Sequence, residues 1–189
     1  MEKALIREIK ENILTNNPSF VKAYSTLRQS VSGKVIQWTN DEGEIIGLRD
    51  NLYNYFYIRY IEEPTLDTPT DRTTSCHEYE LTTKLRLVAW VNHGNEAKLK
   101  EVLIYDLVTT DIFFNLDHYE KRRVTKVYPI QIDEIFADKE RIFSEETGQP
   151  LIKLRKGVTL VAVDFTLRFN YKPYVYPDLC LDREICEVC

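Results

Sequence analysis

Between Tyr79 and Val91 the chain alternates with a period of two. Leu81, Thr83, Leu85, Leu87, Ala89 and Val91 point one way, and Glu80, Thr82, Lys84 and Arg86 point the other. Such a run predicts a strand with one buried face and one wet face. Val158 to Tyr171 repeats the pattern. Val161, Val163, Phe165, Leu167, Phe169 and Tyr171 form one face, and Thr159, Asp164, Thr166, Arg168 and Asn170 the other, with Val158, Leu160 and Ala162 softening its start. After the turn Asn92-His93-Gly94-Asn95 the period becomes helical, and Glu96 to about Phe114 sets Leu99, Val102, Leu103, Leu107 and Phe113 near one side. Two long strands with a helix between them restrict the chain to a sheet with a helix packed on it.

The remaining elements are read around that frame. Residues 2 to 15 predict a helix with Leu5, Ile6, Ile9, Ile13 and Leu14 as its apolar stripe. Asn17-Pro18 looks like a cap and first helical position, so a second helix is expected to about Val31, burying Phe20, Tyr24 and Leu27. Lys34–Thr39 and Glu44–Leu48 read as short strands, and Tyr53–Ile61 as a stronger one, dense in aromatic and β-branched residues. Residues 62–78 carry Pro64, Pro69 and many threonines and read as a long exposed loop. Val124–Asp133 predicts a strand in which Pro129 signals an edge or a bulge. Glu134–Glu146 is open between a short helix and a structured loop, and Gly148-Gln149-Pro150 is a breaker. The expected class is α+β: a mainly antiparallel sheet with one central packing helix. Residues 1–32 would be an N-terminal helical segment, 33–171 the sheet domain, and 172–189 an extended C-terminal arm.

The chemistry is sparse. With 6 Gly among 189 residues, no phosphate-cradling loop is found. A net charge of −5 with mixed signs, and one tight basic cluster at Lys121-Arg122-Arg123, argues against a nucleic-acid-binding face. No apolar run is long enough to span a membrane, and Met1-Glu2-Lys3 leads directly into a charged helical pattern, so a soluble chain made in a reducing cytoplasm is expected. Cys76, His77, Cys180, Cys186 and Cys189 could supply thiolate and imidazole ligands for zinc, although their spacing is not that of paired CxxC knuckles. Otherwise no cofactor is expected. His77, His93 and His118 lie in turns or at strand starts with no nucleophile elbow near, so no enzyme activity is expected. Tyr53, Tyr55 and Tyr57 share one strand face. That suits either strand packing or a protein interface, where tyrosine is enriched.

The segment from Leu81 to Asn92, followed by the Lys98–Asp111 helix and closed by Val158–Phe169, resembles the core of tail-terminator and tail-completion proteins of tailed bacteriophages. In that family a strand hairpin with an extended loop precedes one helix that packs on a sheet. The resemblance covers about residues 33–171, and the N-terminal helices and cysteine-bearing arm depart from it. It implies a structural virion protein, a head–tail connector or neck subunit that assembles into a homo-oligomeric ring around the DNA channel. Such a subunit would contact portal-side or tail-side proteins, meet DNA only as it passes through the channel, and contact no membrane. The subunit contacts it would use are Tyr53, Tyr55, Tyr57, Pro64, Pro69, Tyr174 and Tyr176. Two other readings stay open: a zinc-stabilised interaction or nucleic-acid-binding module, and a small ligand-binding α+β protein.

Overall fold

The computed structural model describes residues 2–32, 35–40, 45–46, 53–67, 79–111, 116, 123–151 and 157–172. In chain order the elements are α1 (Glu2–Asn16), β1 (Lys22–Ser32), β2 (Val35–Thr39), β3 (Ile45–Ile46), β4 (Tyr55–Tyr60), β5 (Thr65–Asp67), β6 (Tyr79–Asn92), α2 (Glu96–Thr109), β7 (Val124–Val127), β8 (Gln131–Phe136), α3 (Lys139–Thr147) and β9 (Val158–Tyr171). The described strands form one sheet of order β3-β2-β1-β4-β6-β9-β7, with β5 also on β6 and β8 also on β9.

The two long alternating segments are partners. β6 and β9 pair antiparallel without a slip, from Tyr79 opposite Tyr171 to Asn92 opposite Val158. This ribbon is the spine of the molecule, and each of its edges carries two short strands in succession. On β6, β4 pairs with Leu85–Trp90 and β5 with Glu80–Thr82. On β9, β8 pairs with Ala162–Thr166 and β7 with Phe169–Tyr171. The single strand expected over Val124–Asp133 is thus two strands. They part at Tyr128-Pro129-Ile130, where proline supplies no N–H to the ladder. Within the expected 62–78 loop, Thr65–Asp67 is strand, and its other residues from 68 onward lie outside the described ones.

The second N-terminal helix is not formed. Asn17 closes α1 instead: its backbone and side-chain N–H groups both donate to the Ile13 carbonyl, at 3.0 and 2.9 Å. The chain then enters β1, which runs parallel to β4 from Lys22 opposite Tyr55 to Leu27 opposite Arg59. Tyr24, Thr26 and Val31 are residues that suit a pleated surface, and the edge of β4 decides the competition between helix and strand. Because β1 belongs to the same sheet as β4, the expected boundary after residue 32 does not stand. α1 is likewise no separate segment, since Leu5, Ile6, Ile9 and Ile13 enter the sheet's own core.

A bulge lies between Tyr24 and Leu27, with Thr26 in the left-handed region at φ 57°. For a β-branched residue this is strained, by about 1–3 kcal/mol. After the bulge β1 keeps one more partner on β4, Arg59 opposite Leu27, and then parts from it. Beyond Leu27, Arg28–Ser32 pair with β2 rather than β4.

Helices cover both faces. On one, Leu5, Ile9 and Ile13 of α1 and Leu103 and Leu107 of α2 pack on Phe56, Leu85, Leu87 and Phe165. α2 begins where Asn95 accepts a hydrogen bond from Lys98 N at 3.1 Å. It ends at Thr109, short of the expected Phe114, which lies outside the described residues. On the other face, Ile142 of α3 packs with Trp38, Tyr55, Tyr57, Val88, Trp90 and Leu160. The open question over Glu134–Glu146 resolves as the end of β8 followed by α3. Asp138 caps α3, accepting from Glu140 N and Arg141 N, and Gly148 ends it at φ 68°. The α+β class therefore stands, with a cover on each face. No helix among the described residues is long and apolar enough to cross a membrane.

Candidate functional site

The face expected to be wet stays exposed at Lys84 and Arg168, but around Arg86 and Asp164 it is a second core, and its centre is ionic. Arg86, Val88 and Trp90 of β6 are buried there, as are Asp164 and Thr166 of β9. Glu146, on the last turn of α3, has no solvent exposure. Its carboxylate accepts from Arg59 Nε at 2.9 Å, Arg59 Nη2 at 2.6 Å, Arg86 Nη1 at 3.4 Å and the Tyr57 hydroxyl at 3.0 Å. Arg86 also forks onto Asp164, with Nε to Oδ1 at 2.6 Å and Nη2 to Oδ2 at 2.8 Å, and reaches Glu145. Arg141 continues the chain to Glu145 at 2.9 Å and to Glu134 at 2.6 Å. Aromatic rings separate the cations. Arg59 lies 5.1 Å over Trp38, and Phe136 has Arg86 and Arg141 at 5.0 and 3.9 Å. The Trp38 indole N–H donates to the Glu146 carbonyl at 2.7 Å, so β2 is tied to α3 as well.

The electrostatics follow from this packing. Burial would push the Glu145 carboxyl up, but hydrogen bonds from Arg141 and Arg86 outweigh it and hold it below the usual range. The Arg141 hydrogen bond does the same for Glu134. Burial opposes the charge on Arg86, yet Asp164 and Glu145 more than restore it. Burial, reinforced by the Glu146 charge, pushes the Tyr57 phenol well above its ordinary value. These groups are matched to one another rather than poised to exchange protons near neutrality. What the cluster does chemically is fasten α3, β2 and the sheet together.

Two of the expected contact residues are consumed by this core. Tyr57 is fully buried, and Tyr55 is 3% exposed and stacks on Trp90 with ring centres 5.6 Å apart. Their assignment as subunit contacts is therefore corrected, because strand packing claims both. Tyr53 precedes β4 and is 55% exposed. Pro64 is half-buried and lines a cleft. Pro69, Tyr174 and Tyr176, and all five candidate metal ligands, Cys76, His77, Cys180, Cys186 and Cys189, lie outside the described residues. Among the described residues no cluster of three potential ligands is found. His93 sits exposed at φ 55° in the β6–α2 turn. There its N–H donates to the Gly157 carbonyl at 2.8 Å, and its ring occupies the space a side chain at Gly157 would need.

The accessible features lie at the sheet's margins. The cleft, ≈ 410 Å³, opens where β1 leaves β4, between Leu27 and Arg28 on one wall and Tyr60, Glu62, Glu63 and Pro64 on the other. Glu2 of α1 forms part of its lining, and burial holds the Glu2 carboxyl above the usual range. β5 runs on from this cleft with all three residues exposed, including Leu66 at 49%. No described strand pairs with the outer edge of β5, β7 or β8. Sequence reasoning located Pro64 but missed the cleft, because the cleft depends on β1 being a bulged strand.

Fold and margins together define an α+β protein with a doubly covered, mainly antiparallel sheet, and with edges on β5, β7 and β8 that no described strand covers. No protein-family model matches the chain, and no curated protein matches it.

Proposed function

We propose that this chain is a structural subunit of a ring at the head–tail junction or tail end of a tailed bacteriophage, acting by protein–protein assembly around the DNA channel. The observation that carries the reading is the β5–β6 unit. A hairpin whose connection, residues 68–78, is long leads through the full length of β6 directly into α2, which packs on the sheet. This is the order that the resemblance to tail-terminator and tail-completion proteins rests on. The margins favour the same reading: both faces carry helices, while β5, β7 and β8 offer strand edges, which are natural seams between protein chains.

The test is the mass of the purified, reduced protein by light scattering over a concentration series. A ring subunit gives a species of several copies that grows in with concentration. A strict monomer at the highest concentration, and no higher species after chemical cross-linking, argues against the reading.

A further inference from the structure

We infer that copies of this chain join head to tail, the basic β7 edge of one copy docking against the acidic β5 edge of the next. The inference rests on the ring reading and adds the seam. It starts from register. Asp67 of β5 is opposite Glu80, Glu80 is opposite Asn170, and Asn170 is opposite Lys126 of β7. The outer edges of β5 and β7 therefore lie at one level of the sheet, on opposite margins, about 14 Å apart at the usual strand spacing.

The two margins differ in charge. On the β5 side, Glu62, Glu63 and Asp67 are exposed, and Glu2 lines the adjoining cleft. Lys84 is held by Glu62 at 3.0 Å, and Arg28 stands on the cleft's far wall. On the β7 side stand Lys126 and Lys172, with no acidic residue in the strand. Lys126 is exposed, its Nζ 4.2 Å over the Tyr128 ring, and the Lys172 N–H donates to the Arg123 carbonyl at 2.8 Å, which keeps the end of β9 beside β7. Each margin also carries apolar surface: Leu66, Ile61 and Pro64 on one, Val127 and Pro129 on the other.

Strand direction agrees. β5 is antiparallel to β6, β6 to β9 and β9 to β7, so β5 and β7 run in opposite directions. Copies repeated about an axis near the strand direction would bring β7 beside the neighbouring β5 antiparallel, the commoner pairing. Two different complementary patches make a heterologous contact, which generates a ring when its rotation closes. A twofold dimer would instead set like-charged margins together.

The experiment is a charge swap read by sedimentation velocity. Glu62→Lys/Glu63→Lys makes both margins basic, and Lys126→Glu/Lys172→Glu makes the second margin acidic. All four positions lie outside the cores, and circular dichroism checks that each variant folds. Each variant alone should need at least about 10-fold more protein to assemble than wild type, because juxtaposed like charges oppose docking. The equimolar mixture should assemble as wild type does. Variants that assemble normally would overturn this seam while leaving the ring reading intact. Folded, dissociated variants whose mixture stays dissociated would also overturn it, since complementarity was then not what was lost. A wild-type chain that never self-associates would overturn both.

Discussion

The two faces of the sheet are buried by different means. Under α1 and α2 the core is largely hydrocarbon, with Thr83 and Thr159 buried at its edges and a polar knot at Asp106. Asp106, 2% exposed, accepts from Asn16 Nδ2 at 2.9 Å and from Asn17, while Asn12 Nδ2 donates to the Asp106 carbonyl at 3.2 Å. No cation joins it among the described contacts, and the amides bind α1 to α2 by neutral donors. Under α3 the core holds paired ions between aromatic rings. A hydrocarbon core tolerates adjustment, whereas an ionic one is all-or-none: each charge is tolerable only while its partners remain. The functional lesson is spatial. With both faces carrying helices, the strand edges that no described strand pairs lie at the margins of the sheet.

The contrast is broken most severely by Glu146→Ala, which leaves Arg59 and Arg86 short of their shared carboxylate. A loss of about 3–5 kcal/mol is expected in urea unfolding. Ile9→Val, on the opposite face, should cost only about 0.5–1.5 kcal/mol in the same assay. Asp106→Ala tests the knot. It strands the Asn16 and Asn17 amides, and a loss of about 1–3 kcal/mol is expected.

Acid should separate the faces in the same order. Glu134 and Glu145 are held below the usual carboxylate range, so their contribution is complete above their unfolded value and is lost as pH falls through the folded one. Glu2 has the opposite sign: its raised value means that acidification relieves it. Amide hydrogen exchange followed downward in pH should therefore show α3 losing protection before α1. Simultaneous loss in both helices would contradict the division. The smallest effect is expected at the exposed Glu96–Lys100 pair on α2, 2.9 Å apart. Lys100→Ala should shift stability by no more than about 0.5 kcal/mol.

The spine was legible because local pattern and final environment agree there. β6 and β9 run within a residue of where period-two alternation places them, and α2 starts at the expected Glu96. The wet face was misread for a definite reason. Lys84 is exposed as expected, but Arg86, Asp164 and Thr166 continue the same polar half of the alternation and are buried, and periodicity cannot distinguish a charge facing solvent from one facing a partner brought by α3. Only Leu160, Ala162, Val88 and Trp90 hinted at a cover. β1 was misread because Leu27 and Val31 suit helix spacing as well as strand pairing, and a parallel neighbour thirty residues on made the choice. Tyr55 and Tyr57 lay between packing and interface until Glu146 and Trp90 claimed them. The cleft had no sequence signal of its own, since it exists only where a bulged strand departs.

If the margins are where this molecule acts, the symmetry of its assembly is decisive. Negative-stain electron microscopy of the assembled wild-type protein, with the mass measured on the same sample, tests this most directly. Closed rings of one cyclic symmetry, with a central channel and a mass equal to a whole number of copies above two, are the expected result. A population made only of monomers, or of twofold dimers joined by one self-complementary patch, would contradict it.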